Sequence, residues 1–272
     1  MTLIVASATH KEQIIVADRL ITDAYSGKVY DDEHYKIIVF HNPYQNYKFA
    51  AAFTGLAALD YEPTVDWLMN TLPKVMTPQV NAGDGITAFN NACTERFSKL
   101  RKIPEKFRGT TFLFCGTYYG QIENKPINSI IPFVSITSNS VDNIGRQINS
   151  VSKEFRSFSA RLFKKKSSIR LCRGDLITAG RHTPELRGLF RILRKQVTHK
   201  AKVQAATQYI RKVSQASTSV GGDILGIAFT SSGWEGFDYH IDDKRHHVTM
   251  PHYVSADGSR MTNFKAGPIE KS

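Results

Sequence analysis

Strands, a pair of helices, more strands, a second helix pair and closing strands: this order of segments predicts an α+β fold, and a four-layer αββα sandwich satisfies it. Three observations carry the prediction. Apolar, β-branched runs at 3–8, 13–18, 36–40 and 47–53 precede any helical periodicity. Helical patterns then fall in two groups, between Leu56 and Leu100 and between Thr183 and Val213, and strand character returns after each group. The 272 residues suffice for a full core, and 41% apolar with 22% charged residues is an ordinary soluble composition, so one domain over 1–272 is expected.

Leu3 to Ala8 and Gln13 to Asp18, separated by Thr9-His10-Lys11-Glu12, read as a hairpin. A polar loop with Gly27 follows, then a second strand pair, Lys36 to Phe40 and Tyr47 to Phe53, joined by the turn signal His41-Asn42-Pro43. Gly55 ends the fourth strand. Leu59, Val65, Leu68 and Leu72 then recur at helical spacing until Pro73, which predicts a helix over 56–72. Asp84 stands where it can cap the next helix, whose apolar stripe is Ile86, Phe89, Cys93, Phe97 and Leu100. Thr111 to Tyr119 and Ile130 to Thr137 are strands. The stretch from about 138 to 171 reads as an insertion, with Ile148, Val151, Phe155, Phe158 and Leu162 at the spacing of an amphipathic helix. Asp175 to Ala179 is the next expected strand. Thr183-Pro184-Glu185 is a helix start, with Leu186, Leu189, Phe190, Leu193 and Val197 as its apolar stripe. A further helix runs through Val203, Ala206, Ile210 and Val213, and Gly221-Gly222 breaks to strands at 223–230 and 234–241. From about 252 the chain is polar and a loosely ordered tail is expected.

The formal net charge of +12 is concentrated. Arg146, Lys153, Arg156, Arg161, Lys164, Lys165, Lys166, Arg170 and Arg173 face Glu154 alone, and Arg181 to Lys202 is again mostly basic. Residues 146–173 are therefore a candidate footprint for an anionic partner. No run reaches the roughly 18 apolar residues of a membrane helix, and no secretory signal pattern opens the chain. Cys93, Cys115 and Cys172 are odd in number and widely spaced, which argues against disulfides and zinc, so a cytoplasmic location is expected. His240, His246, His247 and His252 with Asp242-Asp243 lack ligand spacing, and no phosphate-loop or dinucleotide motif follows a strand, so neither a metal nor a cofactor is expected.

The chemistry points to the second residue. Removal of Met1 would leave Thr2 with a hydroxyl nucleophile and a free α-amine, which titrates near neutrality and can take the hydroxyl proton. Behind it stand Asp18 at a strand end, Lys36 at a strand start and Gly55 at a strand-to-helix break.

These residues, together with Thr2-Leu3-Ile4-Val5, Ile15-Val16-Ala17-Asp18-Arg19, Lys36-Ile37-Ile38-Val39, Ala52-Phe53-Thr54-Gly55, Ala179-Gly180-Arg181-His182-Thr183-Pro184 and Val220-Gly221-Gly222-Asp223-Ile224, resemble the N-terminal nucleophile (Ntn) hydrolases, in particular proteasome β-subunits and their bacterial relatives. The resemblance covers roughly 2–60, 110–137 and 175–230. It implies Thr2 as nucleophile and base, Lys36 as the ammonium that keeps the amine neutral, Asp18 as its orienting carboxylate and the Gly55 N–H as an oxyanion donor. It places Phe53 at the floor of the main specificity pocket, which implies a shallow pocket that disfavours large aromatic residues. It also implies a homo-oligomer and peptide or protein substrates. Arg19 adjoins the aspartate. Arg181 stands where the family has a serine, and Ser217 and Ser219 are the hydroxyls available where the family has an aspartate and a serine, so these accessory positions depart from the pattern. No propeptide is expected before Thr2, and trimming of Met1 is the expected maturation. The leading expectation is a threonine-type peptidase or amidohydrolase. The alternatives are a non-catalytic relative that binds an anionic partner through its basic insertion, and a transpeptidase using an amine as acceptor.

Overall fold

Strands buried on both faces need a layer on each side, and the early strands of this chain are of that kind. In the computed structural model, which describes residues 2–22, 29–31, 34–122, 125–146, 148, 150–161, 168–174, 184–217, 220–230, 238–242 and 252–261, all seven residues of Glu12–Asp18 and all eight of Tyr47–Thr54 are buried. Along Tyr47–Thr54, Phe49, Ala51 and Phe53 enter one core while Ala50 and Ala52 enter another, as the two-residue period of a strand requires.

In chain order the elements begin with β1 (Leu3–Thr9), β2 (Glu12–Asp18), β3 (Ile21–Thr22), β4 (Val29–Asp31), β5 (Ile37–Asn42) and β6 (Tyr47–Thr54). The short β7 (Ala58–Leu59) and β8 (Glu62–Pro63) lead to helices α1 (Thr64–Val75) and α2 (Ala82–Ser98). Strands β9 (Thr111–Ile122), β10 (Lys125–Ser138), β11 (Arg156–Arg161) and β12 (Ser168–Gly174) precede α3 (Pro184–Lys195) and α4 (His199–Ala216). The described chain closes with β13 (Ile224–Thr230), β14 (Asp238–Asp242), β15 (His252–Ser255) and β16 (Arg260–Met261). One sheet has the order β12-β1-β2-β13-β14 and the other β11-β10-β9-β6-β5-β15-β16.

Three cores follow from the stacking. Ile4, Ala6, Ala8, Ala17, Ala50 and Ala52 lie in the core between the sheets, where small side chains let them approach. Phe49, Phe53, Trp67, Phe89, Phe97 and Phe112 fill the space between the seven-stranded sheet and α1–α2. Leu3, Val5, Leu186, Leu189, Val203 and Ile210 join the five-stranded sheet to α3–α4. The order helix, sheet, sheet, helix is the expected four-layer αββα sandwich. Cys93 and Cys115 are free thiols in different cores, and burial pushes the Cys115 thiol up to about 12. Among the described residues no helix is long and apolar enough to cross a membrane.

Several elements differ from expectation. The first helix starts at Thr64, because 56–63 turns back as β7–β8 and the Thr64 hydroxyl donates to the Leu56 carbonyl at 2.8 Å. Pro73 lies inside α1, close enough to its end that little of the ladder is lost. Asn81 caps α2, accepting the Gly83 and Asp84 N–H groups at 2.9 and 3.0 Å, and Asp84 is in the first turn. Residues 156–161 form strand β11 rather than the helix suggested by Phe155 and Phe158, and Leu162 lies outside the described residues. Val197 lies beyond the end of α3 and is 85% exposed. The stretch from 252, read as a polar tail, pairs in parallel with β5 over 252–255 and buries Val254. The strand expected at 175–179 falls outside the described residues, while Ser168–Gly174 pairs with β1. His246 and His247 also lie outside them.

Candidate active site

Thr2 immediately precedes β1 and is 3% exposed. Its backbone is held by one side chain. Thr54 Oγ1 donates to the Thr2 carbonyl at 3.0 Å and accepts the Thr2 N–H at 3.4 Å, using both capacities of a hydroxyl. Thr54 ends β6 on the face that points at the other sheet, two residues beyond Ala52, so the contact fixes the start of one sheet against the end of the other. Among the described residues nothing bonds the Thr2 hydroxyl itself.

Asp18 ends β2 and is fully buried. Its carboxylate accepts four donors: the Leu3 N–H at 2.7 Å, the Gly221 N–H at 3.0 Å, the Leu20 N–H at 3.2 Å and the Lys36 ammonium at 3.2 Å. That set matches the roughly four lone-pair sites of a carboxylate and compensates its burial. Lys36 leads into β5, is 3% exposed, and also donates to the Leu20 carbonyl. Its own carbonyl accepts the Phe53 N–H at 3.2 Å. One carboxylate thus ties the strand that begins after Thr2 to the lysine of the opposite sheet.

Gly55 follows Thr54 with φ +111, a region that L side chains rarely adopt. A Cβ there would lie 2.1 Å from the Gly109 carbonyl oxygen, so only glycine fits. Thr110 Oγ1 accepts the Leu56 N–H at 3.2 Å, and the Asn139 side chain holds the Thr110 and Arg108 backbone behind the turn at 2.8 and 3.0 Å. Gly55 is exposed, and among the described residues nothing accepts its N–H. Gly221 has a similar constraint, since a Cβ would meet Leu20 Cβ at 2.6 Å.

The structure therefore brings Thr2, Asp18, Lys36 and Gly55 to one end of the two sheets. Arg19 is buried beside them, its N–H on the Asp223 carbonyl at 2.9 Å and its guanidinium 5.1 Å from the Tyr35 ring centroid. Ser217 caps the C-terminus of α4, four residues before Gly221. Arg181 and Ser219 lie outside the described residues. Phe53 does not join the group: strand alternation turns it to the helix side, where it is 1% exposed and 6.4 Å from Phe112 between ring centroids. The ring fills the core between the seven-stranded sheet and α1–α2. Thr54, Thr110 and Gly221 were missed as site residues. Thr54 left a signal, a hydroxyl directly before the strand-ending glycine.

No protein-family model and no curated protein matches the chain. Solved structures do. The Anbu (Gly-1) mutant from Hyphomicrobium sp. strain MC1 is similar at a TM-score of 0.57 and 16% identity, over 90% of both chains. Anbu, described as an ancestral β-subunit, from Yersinia bercovieri is similar at 0.53 and 13%, over 89% of this chain and 87% of that one. The helical assembly of the Anbu complex from Pseudomonas aeruginosa gives 0.56 and 10% over 89% and 87%. The fold is that of the proteasome-like Ntn hydrolases.

Proposed function

We propose that the chain is a threonine-type Ntn hydrolase that cleaves peptide bonds through an ester on Thr2, once the bond between Met1 and Thr2 is cut. The observation that carries this is the single Asp18 carboxylate that joins the Leu3 N–H, next to Thr2, to the Lys36 ammonium. In the reaction the freed Thr2 amine takes the hydroxyl proton and Oγ1 attacks the substrate carbonyl carbon. The Gly55 N–H donates to the oxyanion, a contact whose removal typically costs about a hundredfold or more in rate. Collapse breaks the C–N bond, and the leaving amine takes the proton from the Thr2 ammonium. Water, deprotonated by the same amine, then attacks the ester and releases the acid. Lys36 keeps a positive charge near the site, which favours both the neutral amine and the developing alkoxide. That no described residue bonds the Thr2 hydroxyl or accepts the Gly55 N–H supports these roles. The helical assembly of the Pseudomonas protein supports self-association of this chain as well.

A peptidyl epoxyketone tests the reading, because its adduct needs the amine and the hydroxyl of one N-terminal threonine. Intact-mass analysis is expected to show loss of Met1 and one adduct per chain, with none on Thr2→Ala. A folded protein that retains Met1 and stays unmodified would instead favour the non-catalytic alternative.

A further inference from the structure

The outer face of α3 carries a second concentration of chemistry. Arg187, Arg191 and Arg194 share one side of this helix and are exposed, while its other side, Leu186, Leu189 and Leu193, is buried on the five-stranded sheet. Spacings of four and three residues put consecutive arginines within a turn of each other over roughly 10 Å of helix. From the edge strand β12, Arg170 comes up against the same face and with Phe190 completes a hollow of about 240 Å³ lined by these five residues. Four guanidiniums thus border one small volume. Among the described residues none of them is paired with a carboxylate, and between Pro184 and Ser217 the only acidic residue is Glu185.

Like charges at this spacing repel, so the arrangement is unfavourable while the hollow is empty. Arg170 shows the consequence: its Nε–H is shielded from solvent and bonds nothing among the described residues, and burial together with the nearby Arg194 charge holds its pKa below the usual arginine value. Guanidiniums present paired N–H donors that match phosphate oxygens. The half-buried Phe190 adds an apolar wall. Along the end of α3 the described surface is mixed, with Ile192 and Val197 at 47% and 85% exposure beside the exposed Lys195 and Lys200.

We propose that Arg170, Arg187, Arg191 and Arg194, with Phe190, form a binding site for a compact polyphosphate chain, free or carried by a nucleotide. Four arginines bordering one hollow within roughly 10 Å of helix suit several phosphates close together, and a long nucleic acid is the competing occupant that the test includes. The site is separate from Thr2 chemistry, and its test reads binding rather than hydrolysis.

Isothermal titration of the full chain with sodium tripolyphosphate and, separately, with a nucleoside triphosphate at two salt concentrations is the test. One saturable site per chain is expected, weaker at the higher salt. The exposed pair Arg187→Gln with Arg191→Gln should weaken binding at least tenfold with an unchanged melting temperature, and Arg191→Lys should fall between. Arg101→Gln with Lys106→Gln, which removes the same charge from another surface, should leave binding intact. Equal affinity for both ligands marks the phosphate chain as what is read, and tighter nucleotide binding adds a base contact on Phe190. The proposal is overturned by absence of saturable heat, by equal weakening in the control pair, or by a single-stranded oligonucleotide binding more tightly than either ligand.

Discussion

Asp18 and Lys36 are charged groups sealed from water at the boundary of two sheets, and such a pair persists only while every partner is present. Replacing Asp18 with Asn leaves the ammonium without its counter-charge and swaps an acceptor for a donor facing backbone N–H groups. The expected loss is about 3–5 kcal/mol in urea unfolding. Lys36→Met leaves the carboxylate with its three backbone donors, so a smaller loss is expected. The double variant Asp18→Asn, Lys36→Met should lose less than the sum of the two, since neither charge is then stranded. Epoxyketone modification should disappear in all three, and full modification of any of them would remove both residues from the proposed mechanism. The sequence exposes Thr2, Asp18, Lys36 and Gly55 because each interrupts or bounds an apolar run. Thr54 is hidden for the opposite reason: a hydroxyl at the end of a strand is unremarkable until a second sheet faces it. The side that Phe53 takes follows from counting along β6 from Ala52: alternation turns Ala52 to the inter-sheet core and Phe53 to the helices.

Among the elements, those with a strong apolar period were legible. The stripe Ile86, Phe89, Cys93, Phe97 locates α2 and is buried along its whole length, and Val203, Ala206, Ile210 and Val213 do the same for α4. Boundaries were less so, because capping depends on which of several polar residues the backbone reaches. Asn81 rather than Asp84 supplies the cap of α2, and its amide also donates to Asp84 Oδ2 at 2.7 Å. Asn81→Ala should cost about 1 kcal/mol. Asp84→Ala should cost less, since that carboxylate acts only through the helix dipole and the Asn81 amide. Equal losses in denaturant unfolding would return the cap to Asp84. Strands whose partners are distant in sequence were the hardest to read. β11 shows no clear alternation because most of it is exposed, and β15 is a strand by virtue of β5, more than 200 residues earlier. Local pattern cannot carry information about a neighbour of that kind.

At the scale of the whole molecule the four layers create two kinds of interior: broad helix-facing cores filled with aromatic and branched side chains, and a thin inter-sheet layer rich in alanine. Charged groups cross these interiors at a few points. Lys202 of α4 pairs with Glu12 of β2 within the third layer boundary. Lys48 of β6 extends across the inter-sheet layer, with its ammonium 5.4 Å from the Phe229 ring centroid of the opposite sheet. It is 5% exposed, and burial lowers its pKa from 10.5 to about 8. Below pH 8 the folded and unfolded chains both carry the proton, and the folded state bears a constant desolvation cost. Between pH 8 and 10.5 the folded chain has released a proton that the unfolded chain still binds. Unfolding then takes up protons, so this residue makes stability rise with pH through that window. Tyr47 acts in the opposite direction only higher up, because burial raises its pKa from 10 to about 12 and the folded state then holds the extra proton above pH 10. The informative range is therefore pH 7 to 9.5. Urea midpoints of the parent chain and of Lys48→Met should differ most at pH 7, with the variant more stable, and should converge toward pH 9.5. A constant difference across that range would mean that Lys48 keeps its proton in the folded state and that Phe229 and its neighbours stabilise the charge.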